Sequence, residues 1–194
     1  LFLWTAAALL SAGAWVSIRY FVSMFGDDGD LAKFSAMASV CSAGALLTDL
    51  VYVRMSRDIM EATERRDKNG LALQLRGMAL GATAGFAGLV IVSGLYAMRI
   101  VDDDKLAVGT AVALSAGYLG RFFYVFGQTM LAAMHSASFD FLGGIAMMIV
   151  AAISSVLLIP LLGLLGAALA FLATSLTLLL SIAYGVSTKW RQRC

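Results

Sequence analysis

Three ionisable side chains sit inside long apolar stretches of this chain: Arg19 in "WVSIRYFVSMF", Asp49 in "ALLTDLVYVR" and Arg121 in "GYLGRFFYVFGQT". A charge in hydrocarbon is costly, so such groups persist where they pair, line a watery cavity or bind a ligand. Arginine suits a phosphate or a sugar acid, because its planar fork makes charge-assisted and often bidentate bonds. Arg19 lies about 9 Å from the near end of its apolar block at the helical rise. Two readings of it stand: it faces an interior and binds such an anion, or it snorkels to the interface and anchors its helix. Arg121 is about 24 Å from Lys105 along an ideal helix, which favours an interior cavity or a partner carboxylate over lipid. The neighbouring Tyr118, Tyr124 and Gln128 are polar enough to line the same cavity. Asp49 reads as a structural partner of Arg121, with a coupling-ion carboxylate as the alternative.

Other chemistries find no residue pattern. His135 in "AAMHSASFD" has no Cys or carboxylate at ligand spacing, and it reads as a loop residue rather than a zinc ligand. Ser136 lacks a nucleophile-elbow context, and Walker-type phosphate loops are absent. Cys41 lies in an apolar block and Cys194 ends the chain, so Cys41 reads as a buried core residue. No catalytic residue, metal or cofactor is expected, and the chain does not read as an enzyme. A net charge of +2 without a basic, aromatic-interleaved stripe gives no reason to expect a nucleic-acid partner.

The elements that must position these residues follow from composition. Of 194 residues, 61% are hydrophobic and 13% charged, against roughly a quarter charged in an ordinary soluble domain. The apolar residues form blocks long enough to cross hydrocarbon, for which about 20 residues suffice. The expected fold is an all-α integral membrane protein with the lipid bilayer as its first partner. Its spans fall at 1–25, 31–53, 77–98, 106–133, 141–158 and 165–187, one bundle over residues 1–194, with a charged segment at 54–76. In "GDDGD" Asp30 is placed to N-cap the second helix, and Asp140 to N-cap the fifth. The first residue is Leu inside an apolar stretch, from which a fragment of a longer protein is expected.

The last uncharged run, Phe141 to Thr188, would be about 70 Å long as one helix, against about 30 Å of hydrocarbon. It must fold back. Pro160 lacks the N–H of a helix interior, and Gly163 and Gly166 allow a tight reversal near Ile159–Leu164. Charge supplies a separate argument. Arg54, Arg57, Arg65, Arg66, Lys68 and Arg76 lie between spans two and three, and Lys189, Arg191 and Arg193 follow span six. Excess Lys and Arg marks the cytoplasmic side, so six spans put that segment, the tail and both termini inside. Glu61 and Arg65 stand at helical spacing and would support helix within the charged segment slightly. Gly77, Gly81 and Gly85, with Gly88 near the same face, form a ridge where another helix is expected to approach closely.

The C-terminal pattern "LLIPLLGLLGAALAFLATSLTLLLSIAYGV" resembles the last two spans of polysaccharide flippases of the multidrug/oligosaccharidyl-lipid/polysaccharide exporter superfamily. Those join their final helices through a short hairpin, here Ile159, Pro160, Gly163, Gly166, Ala167, Ala168 and Ala170. "FGDDGDLAKFSAMASV" is similar to the family's short outer turn and following helix, and "GQTMLAAMHSASFDF" to its approach to the fifth. The resemblance implies one half of a two-bundle transporter in the bacterial inner membrane, facing a missing N-terminal bundle. It implies a lipid-linked oligosaccharide as substrate, flipped by alternating access. A cation-coupled multidrug exporter of the same superfamily is the alternative, with Asp49 as the coupling acid. A membrane-embedded enzyme or an assembly subunit ranks below both. The family supplies no transferable site residues; Arg19, Arg121, Tyr124 and Gln128 come from the chain itself.

Overall fold

The computed structural model describes residues 2–27 and 29–193, with the side chains of all of these except 44–52, 54 and 193. Among the described residues there is no strand, and the order is α1 (Phe2–Phe25), α2 (Asp30–Glu64), α3 (Lys68–Ile100), α4 (Asp104–Ala133) and α5 (Ser138–Arg193). Four of these, α1, α3, α4 and α5, are long and apolar enough to cross a membrane; α2, over its described residues, is not among them. Large apolar side chains stand outward along the four, including Leu9, Leu80, Ile153, Leu161 and Leu180. Such a surface suits lipid and would be an aggregation hazard in water. These are the helices of a membrane-spanning protein.

α5 is two arms, 138–162 and 164–193, joined at Gly163, where φ is 53° and ψ −125°. A methyl on Gly166 would strike the Leu158 carbonyl and Ile159 Cα, one on Gly143 would press on Ser181, and one on Gly185 on Phe139. Partners climb along one arm as they descend along the other, so the arms are antiparallel. Pro160 lies in the last turn of the first arm. Its missing N–H and the left-handed φ at Gly163 end that arm, and the bare Cα of Gly166 lets the second start in contact with the first.

The charged segment at 54–76 is helical on both sides of a turn. α2 runs on to Glu64, the chain turns through Arg65–Asp67, and α3 begins at Lys68. Asp67 caps α3 by accepting from the N–H groups of Asn69 and Gly70, each at 3.0 Å. Asp103 caps α4 in the same way, from Lys105 at 2.8 Å and Leu106 at 3.2 Å. These helix ends hold because Ile59, Leu71 and Met78 bury themselves with Phe122, Phe126 and Met130 of α4, and with Met134 just past its end, in a second, smaller core. The main core joins α1, α2, α4 and α5 around Ile18, Met37, Leu114, Met147, Leu178 and Cys41, which is fully buried.

Three sequence expectations need correction. Asp30 does not cap α2: Gly29, at φ 93°, holds that position, and Asp30 in the first turn accepts from the Asp27 N–H at 3.3 Å. Asp140 does not cap α5 either; it is the third residue of that helix and has no exposed surface. The glycine ridge of α3 faces outward, with nothing beside Gly81 or Gly88, while Met78 and Ala82 face the bundle. Close approach is made instead on α4. There Gly117 and Gly127 leave room for Phe171 and Ile182 of α5.

The bundle is polarised. Phe25–Lys33, Val101–Leu106 and Ile159–Leu164 contribute to one cavity of about 350 Å³, so three turns meet at an end rich in aspartate. The turns at Arg66 and His135, both with φ above 50°, close the opposite end, where Met134 and Trp190 pack in the smaller core. Both turns are Schellman motifs: Asp67 N–H donates to Ala62 and Ser136 N–H to Leu131, at 2.9 Å each. Arg57, Arg65, Arg66, Lys68, Lys189 and Arg191 belong to this second end.

Candidate functional site

α4 is the hub against which α2, α3 and α5 pack, whereas α1 packs chiefly on α5 and has no backbone contact with α4 among the described residues. The separation of α1 from α4 makes a cleft. On α1 the facing residues step by helical turns through Ala8, Ala12, Trp15 and Arg19; on α4 they run through Tyr118, Arg121, Tyr124 or Val125, and Gln128. Two cavities fill it, of about 260 and 280 Å³, and they share Trp15 and Arg121.

The cavity of about 260 Å³ brings Arg19 and Arg121 together, although the chain separates them by most of three helices. Tyr118 lines it as well, and so do Trp15, Phe34, Ser42 and Phe171. Phe171 is held between two rings, its centroid 4.3 Å from Trp15 and 4.9 Å from Tyr118. A side chain at position 117 would displace the Phe171 ring, so the glycine there sets the aromatic wall. The Tyr118 hydroxyl is engaged elsewhere: it donates to the Ala38 carbonyl at 3.1 Å and ties α4 to α2. The cavity therefore presents two guanidinium groups against an aromatic wall.

Neither arginine has an ion-pair partner among the described residues, where the one salt bridge is Arg65 to Glu61 at 2.6 Å on the surface. Asp49, expected to pair with Arg121 or to couple an ion, lies outside the described side chains. Two cations in one recess bordered by apolar walls, with no counter-acid among the described side chains, raise the local positive potential and concentrate anions. Arg19 and Arg121 are both exposed residues, which an incoming ligand requires.

The second cavity, of about 280 Å³, carries Tyr124 and Gln128 beside Arg121, with Ser11 and Leu178 opposite. Their polar atoms turn to Asp140. The Tyr124 hydroxyl donates to Asp140 Oδ1 at 2.7 Å, and the Gln128 amide donates to Asp140 Oδ2 and to the Tyr124 oxygen, each at 2.9 Å. Tyr124 and Gln128 thus serve a buried carboxylate first and line the cavity second. Asp140, Trp15 and Phe171 were missed in the sequence. The usable signal for Asp140 was its position one short turn beyond α4, within reach of a Gln and a Tyr on that helix's last turns. Phe171 carried no signal, because an apolar residue in an apolar run has no distinguishing neighbour. Comparison of this chain with protein-family models, with curated proteins and with solved structures gives no match in any of the three.

Proposed function

We propose that this chain is one bundle of a transporter that moves lipid-linked oligosaccharide across the bacterial inner membrane. The observation that supports this most is the meeting of Arg19 and Arg121 in one aromatic-walled cleft with no counter-acid among the described side chains. A pyrophosphate joining lipid to sugar needs charge-assisted donors, which paired guanidinium groups supply. Indole and phenyl faces offer the apolar surface on which a sugar ring rests. In this reading the cleft between α1 and α4 faces a second bundle, and the two rock against each other around the bound anion. The basic end faces the cytoplasm, in keeping with the positive-inside rule. No bond is made or broken, so the protein acts as a carrier, without catalytic residue or cofactor.

A cation-coupled exporter of the same superfamily is the second reading, and one observation favours it. Asp140 is an acid wholly buried in the bundle, a setting in which ionisable groups often serve ion relays.

The test is made in cells whose surface polysaccharide depends on the protein carrying this chain. Arg19→Ala with Arg121→Ala is expected to remove most surface polysaccharide at unchanged protein level, and Arg121→Lys to restore only part of it, since lysine lacks the bidentate fork. Wild-type polysaccharide in the double variant would overturn the anion role of the cleft. Unchanged surface polysaccharide in the arginine variants, together with loss of drug efflux in Asp140→Asn at unchanged protein level, would favour the exporter.

A further inference from the structure

A second groove lies at the basic end of the bundle, on the face away from the arginine cleft. α3 and the second arm of α5 each pack on α4, but among the described residues they make no backbone contact with one another. Between them is an apolar recess of about 490 Å³. Phe126 and Met130 form its floor, Leu75 one wall, and Leu179, Ala183 and Val186 the other. Ordinary lipid-facing surface on this arm is convex, with Leu180 and Tyr184 standing out at 68% and 67% exposure. The recess is a depression beside them.

Its length and its mouth identify an occupant. From Leu179 to Arg191 the second arm rises about 18 Å at 1.5 Å per residue, close to the roughly 15 Å that one leaflet contributes to the hydrocarbon core. The long part of the groove is aliphatic and aromatic. At the mouth stand Trp190 and Arg191. No carboxylate pairs with Arg191 among the described residues. Lys189 points elsewhere, lying 5.9 Å from the centre of the Phe139 ring. An apolar channel of leaflet depth, ending in an indole and a guanidinium-bearing residue, complements an acyl chain that carries an anionic phosphate. Basic recesses between membrane helices on the basic side commonly hold such headgroups.

We infer that this groove binds one anionic phospholipid, its chain along Leu179–Val186 and its phosphate at Arg191, beside Trp190. The inference does not depend on the transported substrate or on the arginine cleft. It accounts for a feature that transport alone leaves unused: α3 and α5 diverge where a tighter bundle would have closed. A lipid lodged there completes the packing between two helices that do not reach each other.

The chain, purified in detergent, is mixed with phosphatidylglycerol or phosphatidylethanolamine, and bound lipid is read by native mass spectrometry. One retained phosphatidylglycerol is expected, held in preference to phosphatidylethanolamine. Arg191→Gln should lower that preference about fivefold, the worth of one basic residue at an anionic surface. Ala183→Trp should abolish the adduct by filling the groove from an exposed position, and Ser187→Trp, at the mouth, repeats the test should the first variant fail to fold. Equal retention of both lipids by the unaltered chain would overturn the headgroup assignment. An adduct that survives a folded tryptophan variant would overturn the location.

Discussion

The Tyr124 hydroxyl donates to Asp140 Oδ1 over 2.7 Å, and this bond ties α4 to the first turn of α5 where both residues are buried. Gln128 closes the triangle by donating to both. A carboxylate is tolerated there for two reasons: it has donors on each oxygen, and it sits in the first turn of a helix, whose dipole favours negative charge. The cluster orders the wall of the cleft that carries Arg121, one turn from Tyr124.

Removing one donor leaves the carboxylate underserved. Tyr124→Phe is expected to destabilise the purified chain by about 1–3 kcal/mol, the cost of an unsatisfied buried polar group. Gln128→Leu should also destabilise it. Because both donors serve Asp140, the double variant should depart from the sum of the two single effects by more than about 0.5 kcal/mol. Thermal unfolding in detergent measures all three, and simple additivity would show that the three residues do not act as one network.

Gly163 is the pivot of α5, at φ 53° and ψ −125°. A side chain there meets backbone strain, so Gly163→Ala should cost about 1–3 kcal/mol. Gly166→Ala should cost more, since its methyl would run into the Leu158 carbonyl. Melting temperatures in detergent order the two. An unchanged temperature in both variants would contradict the reversal.

Surface charge is expected to matter little. The Glu61–Arg65 pair is 48% and 74% exposed, and exposed pairs of this spacing contribute about 0.3–0.5 kcal/mol. Glu61→Ala should leave the melting temperature within a degree or two. A large loss would mean that the α2 end packs on something beyond this chain.

The polarity of the bundle predicts labelling from opposite sides. Arg66→Cys and His135→Cys, both at the basic end, should react with an impermeant maleimide only after cells are permeabilised, whereas Gly29→Cys and Asp103→Cys should react in intact cells. The experiment starts from a chain with Cys194→Ser, while Cys41 is buried and contributes little background. Reaction of Arg66→Cys and Gly29→Cys from the same side would overturn the assignment of ends.

Much of the fold is legible in the chain because its causes are local. Apolar blocks between charged clusters mark where helices lie, and Pro160 with Gly163 and Gly166 marks a reversal, since a missing N–H and a missing Cβ act on the backbone where they stand. The i,i+4 spacing of Glu61 and Arg65 is local in the same sense. Which faces meet is not local. The ridge of Gly77, Gly81 and Gly85 looks like a packing face, yet it turns outward, because in lipid an apolar outward face costs no more than an apolar inward one. Asp140 resembles a helix cap until α4 brings Tyr124 and Gln128 against it. By itself the sequence determined that helices form and where the last apolar run turns back. It did not determine how far the second and third helices run, since α2 reaches Glu64 and α3 starts at Lys68. Only the tertiary structure decided that Arg19 and Arg121 share one cleft, because no spacing along the chain encodes which helix will stand opposite another once α1 and α4 are both laid against α5.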